Sequence, residues 1–224
     1  MKTSQSTILI GANFILLLAL LNPFTIWAQD SEQVEMSSKH FNGFYLGTSI
    51  GYQNIFGGAF IDDLDVLAQK SSAVLDYSVG YRKQFLQNKI MVGGEFFYGL
   101  TDGDMTEMDT RSQTKIFYEN NTQLGIGLQA GVVLGKKDKA LLYLFFNETR
   151  RVFDIHFTTS DGSRYTQEDT QYLDRYGVGL EMPVYERLNL RAYIANSYSN
   201  FDDLETSMDV NDKLDYNVGI LLNF

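Results

Sequence analysis

The chain has 224 residues, a formal net charge of −10, no Cys, two His, 19 Gly, two Pro, 14 Tyr and 16 Phe. Without Cys it carries no disulfide, thiolate metal site or lipid-bearing N-terminal Cys, and an acidic balance with no Lys/Arg run excludes nucleic acid as a partner. Abundant Gly and aromatics with scarce Pro suit one domain of strands at close quarters.

Met1–Ala28 reads as a secretory signal peptide: Lys2, an apolar run from Ile8 to Leu21, a break at Pro23, and the small Ala28 before Gln29. An uncleaved anchor is the alternative. No other stretch approaches the about 18–20 continuous apolar residues of a transmembrane helix, so a membrane-borne form of this chain crosses as a barrel. Residues 29–41 are polar and aperiodic, a flexible periplasmic lead-in to a barrel over residues 42–224.

The first strand is expected over Gly43–Gln53, where Phe44, Leu46, Thr48, Ile50 and Tyr52 alternate with smaller or polar residues. A long connection, residues 54–72, follows. Ile61, Leu64, Leu67 and Ala68 have helical spacing there behind Asp62 and Asp63, predicting a turn or two of helix that packs on the barrel rim or, alternatively, meets a partner. Strand two (Val74–Arg82) carries Leu75, Tyr77, Val79 and Tyr81 against Asp76, Ser78, Gly80 and Arg82. A short turn leads to strand three (Ile90–Leu100), with Val92, Phe96 and Tyr98 against Met91, Glu95 and Phe97.

An acidic connection, residues 101–113, precedes strand four, which ends at Leu134 and begins somewhere in 114–121. Strand five starts at Ala140 and runs to about Phe157, but Leu141–Phe146 is apolar at every position and its faces cannot be assigned. After residues 158–169 come strand six (about Thr170–Met182) and strand seven (Leu188–Tyr198), then residues 200–212. The last strand, ending at Phe224, sets Leu214, Tyr216, Val218, Ile220 and Leu222 against Asp215, Asn217 and Gly219. Connections alternate long and short, as in an all-β, eight-stranded antiparallel up-and-down transmembrane β-barrel with one end in an open medium. The last strand should pair with the first, because an open edge in hydrocarbon leaves backbone groups without partners.

With a signal peptide, eight dyad strands, alternating loop lengths and a terminal Phe224, the sequence resembles the small outer-membrane β-barrel proteins of Gram-negative bacteria: porin-family, OmpA/OmpX-like and opacity-type barrels of the kind common in Bacteroidetes. The resemblance implies residence in the outer membrane among lipid and lipopolysaccharide. It also implies that Tyr216 and Phe224 belong to the assembly signal read by the barrel-insertion machinery.

The predicted inward faces carry Asp76, Arg82, Glu95, Arg175, Glu181, Arg191 and Asp215. Eight strands leave an interior that side chains just fill, so these charges should pair and plug the lumen, with Glu181 close to Arg191. A narrow small-solute channel or small-ligand pocket is the alternative. His156 with Ser160 and Asp161 is the only constellation suggesting a lipid-modifying esterase, and Asp161-Gly162 reads instead as a turn; His40 falls in the lead-in. Asp102, Asp104, Glu107 and Asp109 lack the offsets of a calcium loop. No cofactor or metal is expected. The role expected is structural or adhesive, with an extracellular partner meeting the connections at 54–72, 101–113, 158–169 and 200–212. A secreted lipocalin-like barrel with the apolar set inside fits poorly with charge and Gly on the opposite face.

Overall fold

The computed structural model describes residues 40–61, 64–109, 111–135, 140–199 and 214–224. Among the described residues ten strands are formed: β1 (Gly43–Ile61), β2 (Leu64–Phe85), β3 (Ile90–Thr101), β4 (Met105–Asp109), β5 (Thr114–Glu119), β6 (Thr122–Leu134), β7 (Ala140–Thr158), β8 (Arg164–Tyr185), β9 (Leu188–Ser199) and β10 (Leu214–Asn223). Eight of them, β1-β2-β3-β6-β7-β8-β9-β10, form an antiparallel ring in which each strand pairs with its neighbour. The ring closes where β10 returns to β1, from Tyr45↔Asn223 to Tyr52↔Tyr216. This is an all-β, up-and-down, eight-stranded barrel. β4 and β5 form a hairpin that prolongs β3 and β6 past the ring and joins it by pairing of β5 with β7, from Lys115↔Thr158 to Glu119↔Asp154.

The barrel is inside out relative to a soluble domain. Leu128, Leu144 and Ile126 are 69%, 67% and 65% exposed, whereas Arg82 and Arg175 are 1% exposed. Alternation of side chains across each strand turns the apolar set outward, which is favourable only where the outer medium is hydrocarbon. Aromatic rings mark both borders of the apolar belt. At the short-turn end Phe44 and Tyr81 pack with centroids 4.8 Å apart, beside Phe224, whose N–H donates to Phe44 O at 2.9 Å. At the other end Tyr52 lies opposite Tyr216, and Tyr77 opposite Tyr98. From Phe44 to Tyr52 the strand rises about 26 Å at ~3.3 Å per residue. With the usual tilt near 40° this covers roughly 20 Å, close to the ~25 Å apolar band of such barrels.

Several elements differ from the sequence expectations. Residues 54–72 are not a loop with a helical turn: β1 and β2 run on as one hairpin, paired from Gln53↔Ser72 to Ile61↔Leu64. The i, i+3 spacing there is coincidental, since Ile61, Leu64, Leu67 and Ala68 all take cross-strand partners in this hairpin. The connection at 101–113 contains β4. That at 158–169 shrinks to a tight turn, because β8 starts at Arg164. The start of strand four is resolved into β5 and β6, separated at Asn120 and Asn121. Each of these extensions lies beyond the belt, where no hydrocarbon imposes apolar–polar alternation. Residues 1–28, most of the lead-in and residues 200–212 lie outside the described residues. His40 and Phe41, at the end of that lead-in, are buried at the short-turn mouth.

Candidate functional site: the barrel interior

The interior is organised in layers. Nearest the short turns, Arg82 on β2 meets Glu181 on β8 end on: Nη1 and Nη2 donate to the two carboxylate oxygens, each at 2.8 Å. Arg82 Nη2 also donates to Asn223 Oδ1 at 2.6 Å, and Asn189 Nδ2 donates to Glu181 Oε1 at 2.6 Å. Its guanidinium lies between the rings of Phe41 and Tyr45, 5.3 and 4.8 Å from their centroids. Arg191 stands directly opposite Glu181 in the β8–β9 register and approaches it to 3.7 Å, but its nearer partner is Glu95. Tyr45 Oη donates to the same Glu95 oxygen at 2.7 Å and accepts from Gln129 Nε2 at 2.7 Å.

The layer above holds Asp215, which accepts from Arg175 Nε at 3.1 Å, from Ser197 Oγ at 2.7 Å and from the Asn54 N–H at 3.1 Å. Asp76 has amide partners, Gln123 Nε2 at 2.9 Å and Asn217 Nδ2 at 3.4 Å. Gln123 Oε1 in turn accepts from Arg151 Nε at 3.2 Å. Arg151 Nη2 donates to Gln53 Oε1 at 2.8 Å and its Nη1 to Asn54 O at 3.2 Å. Arg151 is a residue that sequence reasoning missed. It lies on β7, whose faces an unbroken apolar run concealed. A signal existed: the seven charges named from sequence comprise four carboxylates and three guanidiniums, and a buried set should balance. Within the ring Arg82, Arg151, Arg175 and Arg191 stand with Asp76, Glu95, Glu181 and Asp215.

Two apolar clusters share this interior with the ion pairs. Phe41, Met91, Val133 and Leu141, toward the short turns, pack on through Tyr143 and Phe145 to Ala195, alongside the ionic layers, with Leu141 opposite Glu181 and Ala195 opposite Asp215 in the register. Toward the long hairpins Ile55, Ile116, Tyr118, Phe153, Ile155 and Phe157 pack together. The inner wall has room for its long side chains because glycine replaces bulk opposite them: a Cβ at Gly80 or Gly179 would strike the ring of Tyr45 or Tyr143. A cavity of about 10 Å³ beside Glu95, Gln129, Asn147 and Arg191 is the size of a single water centre.

The sequence matches, over residues 14–224, the family described as "Outer membrane protein beta-barrel domain". The chain belongs to this family of bacterial outer-membrane barrels. Among curated proteins none matches the sequence. Solved structures that resemble it include Ail, the attachment invasion locus protein of Yersinia pestis (12% identity, 82% of this chain and 100% of that one, TM-score 0.46), and Neisserial surface protein A (13%, 82% and 98%, 0.40). The N-terminal β-barrel domain of Pseudomonas aeruginosa OprF is a third (16%, 82% and 98%, 0.40). These likenesses are too distant to speak for chemistry or partners.

Outside the ring of this outer-membrane barrel, His156 lies on the outer face of the prolonged sheet. Its Nδ1 is 3.0 Å from Thr166 Oγ1, its Nε2 is 3.6 Å from Glu119, and its ring stacks on Phe117 at 5.9 Å. Asp161 is engaged in its own turn: it accepts from Thr159 Oγ1 and, at 3.0 Å, from the Ser163 N–H. These bonds hold its carboxyl below the usual range. No bond joins His156, Ser160 and Asp161 among the described residues. Asp102 and Asp104 lend their backbone carbonyls to Lys70 Nζ, each at 3.1 Å, which ties the link between β3 and β4 to β2.

Proposed function

We propose that this barrel is a non-enzymatic outer-membrane anchor with a closed lumen that displays a folded surface outside the cell, in a structural or adhesion-type role. The observation that carries the reading is the charge-balanced interior, in which buried guanidiniums and carboxylates are packed among apolar side chains. An ion crossing it would have to part several guanidinium–carboxylate contacts and lose its hydration among the side chains packed around them. The prolonged β1–β2, β4–β5 and β7–β8 hairpins form one sheet-built protrusion, which suits contact with an extracellular partner better than loose loops would. The reading includes export by the signal at residues 1–28 and insertion guided by Tyr216 and Phe224. It also includes a setting among lipid and lipopolysaccharide, with the long hairpins outside.

Planar bilayers test the closed lumen: purified protein should give no steady conductance, and reproducible unitary steps would refute it in favour of the channel. Orientation is tested on intact cells with a single Cys at Lys115 or Gln87, in a chain that has no other thiol. An impermeant reagent should label the first and spare the second. Cells displaying the protein should adhere to protein-coated surfaces more than cells lacking it, and equal retention would sink the surface role.

A further inference from the structure

We propose that residues 40–42 form a removable stopper at the short-turn mouth of the barrel, with Phe41 as its head, Gln84 as its latch and Gly43 as its hinge. Phe41 precedes the first strand and belongs to no sheet pairing, yet its side chain is wholly buried in the apolar cluster with Met91, Val133 and Leu141, against the guanidinium of Arg82. Gln84, near the end of β2, holds the segment from two sides. Its Oε1 accepts from the Phe41 N–H at 3.2 Å, and its own N–H donates to Asn42 Oδ1 at 3.2 Å. The reversal that sends the chain back into the mouth is made at Gly43, with φ +110°, a backbone state that residues with a Cβ rarely adopt. A Cβ there would also stand 2.6 Å from Phe224 O.

The two closures are therefore built differently. At the long-hairpin end the apolar cluster consists of strand residues, each fixed by cross-strand pairing. At the short-turn end the head of the closure hangs on one hinge, two hydrogen bonds and the burial of one ring. The stopper deepens the closed-lumen reading: the lumen is shut for good at one end and latched at the other. With the latch released, the guanidinium of Arg82 and the wall at Met91 face the aqueous side of the short turns.

The test uses the full-length folded protein with Met91→Cys as reporter and a charged methanethiosulfonate as probe. Heat-modifiable migration verifies folding of every variant. With Phe41 present the thiol should react slowly. With Phe41→Ala it should react about 10- to 100-fold faster, the range set by losing the burial of one aromatic ring, and Phe41→Leu should restore most of the protection. Ile116→Cys in the opposite cluster should stay protected in both backgrounds. Equal rates at Met91→Cys with and without Phe41, in folded protein, would overturn the stopper and leave the closed lumen standing. Rapid labelling of Ile116→Cys with Phe41 intact would overturn the closed lumen, and the stopper's purpose with it.

Discussion

Arg82 and Glu181 are 99 residues apart in sequence and meet in a two-pronged contact at 2.8 Å, both side chains fully buried. β2 and β8 do not pair with each other, so this contact ties opposite walls of the ring. Removing one partner leaves a charge stranded in the interior. Glu181→Ala should therefore destabilise the barrel by about 3–5 kcal/mol, less where lumen water reaches the site. Replacing both, as Arg82→Met with Glu181→Leu, should cost distinctly less than the single change. Urea titration of the micelle-refolded protein reads both, and a double variant as damaged as Glu181→Ala would contradict the assignment.

The eight ring strands were legible in the sequence wherever lipid lay on one side and packed polar side chains on the other, because only there does a period of two carry information. The same physics explains the failures. At Leu141–Phe146 lipid covers one face and an apolar cluster the other, so the alternation vanishes, and Arg151 was lost with the facing of β7. Beyond the belt β1 and β2 run on as one paired hairpin, and Ile61, Leu64 and Leu67 fell by chance on helical spacing. Phe41 gave no signal: a single aromatic ending a polar stretch does not say where it folds.

Gly179 and Tyr143 offer a steric test. The Tyr143 ring lies where a Cβ on residue 179 would sit, and it is 3% exposed with little room to swing. Gly179→Ala should destabilise by about 1–3 kcal/mol, as overpacking in a filled interior does. Adding Tyr143→Leu should recover part of the loss. If Gly179→Ala unfolds at the wild-type urea concentration, the ring does not occupy that place.

The short turn after β2 is unusual in its backbone. Leu86, Gln87 and Asn88 all have positive φ, at 48°, 57° and 64°, and Leu86 is 71% exposed. Asn tolerates this region, whereas Leu does not, at a cost of roughly 1–2 kcal/mol. Leu86→Gly should stabilise the barrel by up to about 1 kcal/mol, the gain being trimmed by the greater freedom of glycine in the unfolded chain. A fall in stability would mean that the Leu86 side chain holds a contact worth more than its strain.

Asp161 supplies a pH test. Its folded pKa is lowered by the hydrogen bonds from Thr159 and Ser163. The ionised carboxylate thus favours the folded turn. That contribution is complete above the ordinary Asp value near 3.9 and is lost as pH falls through the lowered folded value. Amide exchange at Ser163, corrected for its intrinsic pH dependence, should lose protection on acidification through that window. Asp161→Asn should show the loss already at neutral pH. Unchanged protection of Ser163 down to the acid limit would refute the carboxylate's part in the turn.

The pairing of β10 with β1 sets an order in time. The two strands that seal the ring are the first and the last of it to leave the ribosome, with Tyr45 facing Asn223 across almost the whole length of the domain. Neighbouring hairpins can zip locally, but the seam cannot form until synthesis has passed β10, and contacts so distant along the chain form slowly. Until then an apolar outer face and two bare edges exist together, a combination prone to aggregate in water. A chain built this way stays exposed to that hazard until the seam is made, so its abundance in cells should follow the speed of sealing at least as closely as the stability of the finished barrel.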